Sequence, residues 1–215
     1  MKKTIEIPEK LDEVKLSQWQ LFSPLLKPDD KGVKIDENKL NKFALSIFYG
    51  IPHEVYTALK VKDIDMLIIN LNKVLQSKYP FERRFTFNGI DYGFIPSLDD
   101  ISFAELTDMD SYTETSDLHR LMSILFRPIT DTYKDTYDIE KYKGSNDDLK
   151  DMPLGIAFGA LDFFFRLGMH LATGILSYSK QAEALQKMSL DLEKSGVGMH
   201  LFTLSQTGIF SGMKK

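Results

Sequence analysis

The sequence predicts an α+β fold, predominantly helical, in which tandem strand-helix-helix modules with a small antiparallel sheet surround a buried central helix. Three observations point to it. An apolar run of helical length extends from Met152 to Tyr178, the dipeptide Asn88-Gly89 separates two alternating segments, and a pair of amphipathic helices is echoed later in the chain.

Taken in order, Thr4-Ile5-Glu6-Ile7 alternates and Pro8 stops it, so residues 4–8 read as a short strand. Apolar positions between Leu11 and Leu26 follow, with Ser17 as the expected cap of a helix over Trp19 to Phe22. Trp19 is the single tryptophan and is expected in the core. Pro28-Asp29-Asp30-Lys31-Gly32 has the composition of a loop. Leu40, Phe43, Ala44, Ile47 and Phe48 then repeat at i, i+3, i+4, i+7 and i+8, which predicts a helix from Asp36 to Tyr49 closed by Gly50. Pro52 opens a short helix through Val55, Ala58 and Leu59, and Ile64, Leu67, Ile68, Leu71, Val74 and Leu75 define another ending near Gln76.

Arg84-Phe85-Thr86-Phe87 and Ile90 to Ile95 flank Asn88-Gly89, the strongest short hairpin signal because a type I′ turn needs positive φ at both centres. Two strands alone are marginal, so the hairpin needs partners, and residues 4–7 and Tyr137 to Tyr142 are the candidates. The echo comes next. Leu11-Asp12-Glu13-Val14-Lys15-Leu16-Ser17-Gln18-Trp19 is answered by Leu98-Asp99-Asp100-Ile101-Ser102-Phe103-Ala104-Glu105-Leu106, and Leu40 to Phe48 by Leu118 to Phe126. Two such modules would leave apolar faces that bury only against each other and against a shared helix.

At about 100° per residue, Gly155, Gly159, Asp162, Arg166, His170, Thr173 and Ser177 fall in one narrow arc of the 153–178 helix, and apolar residues cover most of the remainder. A helix apolar around most of its circumference lies inside a core or a bilayer. Asp162 and Arg166 sit near its middle, where each charge would cost roughly 2.5–3.5 kcal/mol in a membrane, so a core helix with a polar seam is expected. Pro153 suits the first turn with Asp151 as N-cap, and Gly155 and Gly159 would let another backbone approach closely. Ser179 to Lys194 reads as one more amphipathic helix. The end, through Met199, Leu201, Phe202, Leu204, Ile209 and Phe210, is apolar yet glycine-interrupted, and these six residues are the expected partner-binding set. The organisation is thus residues 1–78 as a first module, 79–150 as a second with the hairpin, 151–195 as the helices packing on both, and 196–215 as an interaction tail.

The chain has 215 residues, of which 43% are hydrophobic, enough for a sizeable core. A net charge of −4 with well-mixed signs argues against a protein that coats nucleic acid, and Lys141-Tyr142-Lys143 is better read as a solvated strand edge. There is no cysteine, which removes thiolate catalysis, disulfides and thiolate metal sites. The opening residues lack the apolar stretch of a signal peptide, so an unsecreted protein is expected. No phosphate-binding glycine loop, metalloprotease helix or nucleophile elbow is present. His53, His119, His170 and His200 are far apart, and no metal or cofactor is expected. On the otherwise apolar 153–178 helix the only polar constellation is Asp162, Arg166 and His170, which could pair a carboxylate with a histidine base but reads more simply as a structural seam.

Leu121 to Ile129, Tyr137 to Gly144, Met152-Pro153 through Ala157-Phe158-Gly159-Ala160 to Phe163-Phe164, and Ser195-Gly196-Val197-Gly198-Met199 resemble a group of tailed-phage and prophage proteins from Bacteroides-type hosts, some of which look like tail assembly chaperones. The resemblance covers most of the chain, and its motifs are structural; the family supplies no catalytic residues. It implies a non-enzymatic virion or morphogenesis protein of the neck or tail region, acting on other phage virion or tail proteins or on further copies of itself, without direct nucleic-acid or membrane contact. Such a protein works in the host cytoplasm during assembly and then in the virion. A tail assembly chaperone absent from the particle is the alternative, and a small enzyme using Asp162, Arg166 and His170 a further one. Within this stretch Arg127, before Pro128, reads as a cation at a helix C-terminus.

Overall fold

A computed structural model describes residues 5–28, 32–97, 101–112 and 114–174. Its α-helices are α1 (Leu16–Phe22), α2 (Glu37–Tyr49), α3 (His53–Tyr56), α4 (Val61–Leu75), α5 (Phe103–Ser111), α6 (Leu118–Leu125) and α7 (Leu154–Gly174). One antiparallel sheet has the strand order β1 (Arg84–Phe87), β2 (Ile90–Phe94), β3 (Phe126–Tyr133), β4 (Thr136–Ile139). The α+β class is therefore as expected. The helix 179–194 and the tail residues Met199, Leu201, Phe202, Leu204, Ile209 and Phe210 lie outside the described residues.

Local chemistry sets the helix ends. The Asp36 carboxylate accepts from Lys39 N at 3.2 Å, and Gly50, at φ 61°, closes α2 while Ile51 N donates back to Leu45 O. At the start of α1 the Gln18 side chain accepts from Lys15 N at 2.9 Å. Ser17, expected to be that cap, lies one residue inside the helix. α5 opens on a capping box: Glu105 N donates to Ser102 Oγ and the Glu105 carboxylate reaches back to Ser102 N at 2.6 Å.

The hairpin forms as read, with Asn88 at φ 51° and Gly89 at φ 78°. Its partner is not the amino-terminal segment, because residues 5–8 form no strand. The partner is β3, and this corrects the reading of Arg127: α6 ends at Leu125, and Arg127 is a strand residue opposite Gly93. Pro128 is tolerated within β3 because its carbonyl accepts from Glu140 N at 2.9 Å, so the side lacking an N–H faces the frayed end of β4. An irregularity between Ile129 and Asp131 bends β3, and β4 folds over β2. Tyr137 then lies on Gly93, where a Cβ would come within 2.8 Å of the Tyr137 ring, and the Tyr137 hydroxyl donates to Phe94 O at 2.7 Å.

α7 runs through the centre. Leu154 to Leu161 are buried, and Phe158 meets Trp19 edge-on at 5.6 Å on one side and Tyr79 on another. Further along, Phe163 stacks on Phe81 at 4.1 Å and meets Phe94 of β2, so one helix joins the α1 side to the sheet. Its start is anchored to the amino-terminal segment by Leu154 N to Val14 O at 2.8 Å and Leu16 N to Met152 O at 2.9 Å. The buried apolar residues form a contiguous cluster from Leu11 to Leu161.

Asp151 does not cap α7. Its carboxylate accepts from Ser17 Oγ at 2.5 Å and from Lys15 Nζ at 3.0 Å, clamping α1 to the approach of α7. These two contacts, Ser17 first, hold the Asp151 carboxyl below its ordinary range. A folded-state value below the unfolded one stabilises the fold above about pH 4 and is lost as pH falls further. Urea midpoints measured from neutral pH into the acid range should therefore fall less steeply for Asp151→Asn than for the wild type; parallel curves would show that the clamp contributes nothing.

Candidate functional site

The polar seam of α7 faces protein along its first turns. A Cβ on Gly155 would collide with the Asp12 carboxylate, and one on Gly159 would come within 3.1 Å of Pro80 C and 3.2 Å of Phe81 Cα. Gly159 thus meets another stretch of backbone closely, as expected, whereas Gly155 is faced closely by the Asp12 side chain. Asp162 and Arg166 pair with each other at 2.9 Å. Beside them the Tyr79 hydroxyl is pushed far up, first by burial and then by the Asp162 charge. The structure therefore joins two of the three seam residues. His170 lies on α7, but its side chain falls outside what is described. In this geometry the Asp162 carboxylate accepts from Arg166 Nε and holds that side chain.

A second polar cluster, not foreseen from sequence, lies where residues 140–149 strap across α5 and α6. At one end Glu105, its side chain 4% exposed, pairs with Arg127, 14% exposed, at 2.8 Å. The Arg127 guanidinium lies over the Tyr142 ring at 5.9 Å, while its Nε is buried without a partner. The Tyr142 hydroxyl donates to Asp108, and burial foremost raises that hydroxyl above its ordinary range. Further along the strap, Tyr112 meets Ser145 at 2.5 Å and Asn146 N donates to Ser123 Oγ at 3.0 Å.

The strap ends on Asp147, which accepts from Arg120 Nε at 3.2 Å and from His119 Nε2 at 2.9 Å; these bonds, Arg120 first, hold its carboxyl below the usual range. His119 is 7% exposed, and its Nδ1 faces Gln20 Nε2 of α1 at 2.9 Å. That amide nitrogen also donates to Thr115 O at 2.9 Å and Ser116 O at 2.7 Å, which identifies it as the NH₂ end. The two hydrogens of that NH₂ are shared among Nδ1 and the two carbonyls, so Nδ1 faces a donor while Nε2 faces the Asp147 carboxylate.

Chemically this is a clamp. The nearest hydroxyl on the same helix face, Ser123 Oγ, donates to Arg120 O and accepts from Asn146 N, so it is not aligned on the His119 ring. The one signal in the sequence that could have pointed to part of the cluster is the capping-box pattern Ser102-x-x-Glu105; Asp147 carries none, and His119 reads as one of four scattered histidines. Among the described residues no three His, Asp or Glu side chains converge as metal ligands, and no helix is long and apolar enough to cross a membrane. A cleft of about 290 Å³ opens between α1, α2 and α4, with apolar Phe22, Leu40, Ile68 and Leu75 and polar Glu37, Asn41, Asn72 and Gln76 among its walls. No protein-family model, curated protein or solved structure matches the chain.

Proposed function

We propose that the protein is a non-enzymatic virion or morphogenesis component of the neck or tail region of a tailed phage, acting through contacts with other virion or tail subunits. The resemblance of its central and late segments to phage proteins motivates the reading. The observation that carries it is the outward face of α4, where Val61, Met66 and Ile69 are 74%, 58% and 68% exposed, opposite the buried Leu67, Leu71, Val74 and Leu75. Apolar area displayed in this way adds nothing to the chain's own core, and a partner recovers about 25 cal/mol for each Å² it covers. Lys62, Asp65 and Lys73 are interspersed on that face and would supply the polar part of such a contact.

The tandem-module organisation belongs to the same proposal. α1 packs on α2 and α5 packs on α6, which is the pairing that a duplicated helix pair requires. Residues 197–213 would supply a further contact to the same partners, and the protein would act in the host cytoplasm before entering the particle.

Mass spectrometry of purified particles, with copy number calibrated against the major capsid protein, tests the reading. A fixed multiple of a symmetry number is expected. Expression during infection with absence from particles, together with co-purification of a tail protein, would assign the chaperone role instead. A chain found neither in particles nor bound to any tail or neck protein would overturn both.

A further inference from the structure

We propose that His119 and Gln20 form a proton-operated switch, in which uptake of a proton at His119 Nδ1 turns the Gln20 carboxamide over and releases the 115–117 turn from α1. The starting state is fixed by hydrogen-bond direction. Two backbone carbonyls, Thr115 O and Ser116 O, hold the NH₂ end of Gln20 toward the ring, so its two hydrogens are shared among those carbonyls and Nδ1, and Nδ1 faces a donor. The ring is buried at 7% exposure between α1 and the strap, so water has little room to replace a lost partner.

Adding a proton to Nδ1 sets an N–H against an N–H. The repulsion is relieved when Gln20 rotates its carboxamide by half a turn, so that Oε1 accepts from Nδ1–H. Both carbonyl bonds are then broken, because the end now facing Thr115 and Ser116 is an acceptor. On the other side of the ring nothing is lost: Nε2 donates to Asp147 in both states, and the charge strengthens that bond. Gln20 of α1 is uncharged. The charged groups nearby are Asp147 from the strap, which both His119 and Arg120 of α6 contact, and Asp117 from the turn, which interacts with Arg120. The switch therefore keeps the strap latched while it detaches α1 from the 115–117 turn, which retains its own backbone bonds from Asp117 N to Glu114 O at 3.0 Å and from Leu118 N to Thr115 O.

Nitrogen-15 NMR of the full chain, labelled at histidine and glutamine and titrated across the histidine range from about pH 8 to about pH 5, decides it. The expected result is a ring protonated on Nε2 alone at the upper end, with Gln20 side-chain amide protons in Overhauser contact with residues 115 and 116. Those contacts should disappear in the same step in which Nδ1 gains its proton. In Gln20→Glu a carboxylate accepts from Nδ1–H directly, so the doubly protonated ring should already be present at the upper end. Finding the proton on Nδ1 at the upper end, Gln20 amide signals that stay in place through the ring's titration, or a Gln20→Glu ring that titrates as in the wild type would each overturn the switch. If Gln20→Glu does not fold, the wild-type titration alone decides between the first two outcomes and the proposal.

Discussion

Truncating Glu105 to alanine should destabilise the fold by about 3–5 kcal/mol, because it removes the counter-charge of a buried arginine while leaving that arginine in place. Arg127 has few other resources. Its side chain is 14% exposed, its Nε already lacks a partner, and its remaining neighbour is the face of Tyr142. The same truncation strips the capping box from α5, worth about 1 kcal/mol on its own, since Glu105 also accepts from Ser102 N. Ser102→Ala separates the two contributions, because it loses the cap and spares the ion pair. The double replacement Glu105→Leu with Arg127→Met removes both charges and keeps the volume, and it should recover most of the loss, to within about 1–2 kcal/mol of wild type. Urea unfolding of wild type, Glu105→Leu, Arg127→Met and the double variant gives the cycle. Additive single effects would mean that the pair is not coupled and that the loss reflects packing alone.

That pair also shows where sequence reading stops. Periodicity and end signals are local, and the elements they govern were legible: α2 has its Asp36 and Gly50 ends, the Asn88-Gly89 hairpin has its positive φ angles, and α7 is buried with glycines at its close approaches. β3 was not legible, because Arg127-Pro128 after a helical run carries the same local signal as a helix end. What makes it a strand is the open edge of β2, supplied more than thirty residues earlier in the chain. The reverse held at residues 5–8, where alternation was present without a neighbouring edge to pair with. The clamp was invisible for a related reason. Gln20, His119 and Asp147 carry no pattern in sequence, and only the packing of α1 on the 115–117 turn and the strap on α6 brings their polar atoms within 3 Å. The seam was half legible: the Asp162 and Arg166 pairing follows from helical spacing, but which side of α7 would meet Pro80 and Phe81 does not.

Gly159→Val should be the most damaging single substitution on α7, at about 3 kcal/mol or more, and Gly159→Ala should also destabilise, by about 1–3 kcal/mol. Intrinsic helix propensity argues the opposite way, since alanine is favoured over glycine by about 1 kcal/mol inside a helix. Packing decides the sign. The atoms facing Gly159 are the Pro80 carbonyl and Phe81 Cα, which are backbone and cannot rotate aside, and displacing them would pull Phe81 from its stack on Phe163 and from Phe94 in β2. Gly155 supplies the internal control, because its facing atoms are the end of the exposed, flexible Asp12 side chain. Gly155→Ala should therefore cost little or nothing once that carboxylate swings outward. Thermal or urea midpoints for the three variants, with near-ultraviolet circular dichroism to follow the aromatic cluster, test the ordering. A Gly159→Ala protein more stable than wild type would mean that residues 79–81 yield freely to α7, and that the seam is not the contact by which α7 orders the approach to the sheet.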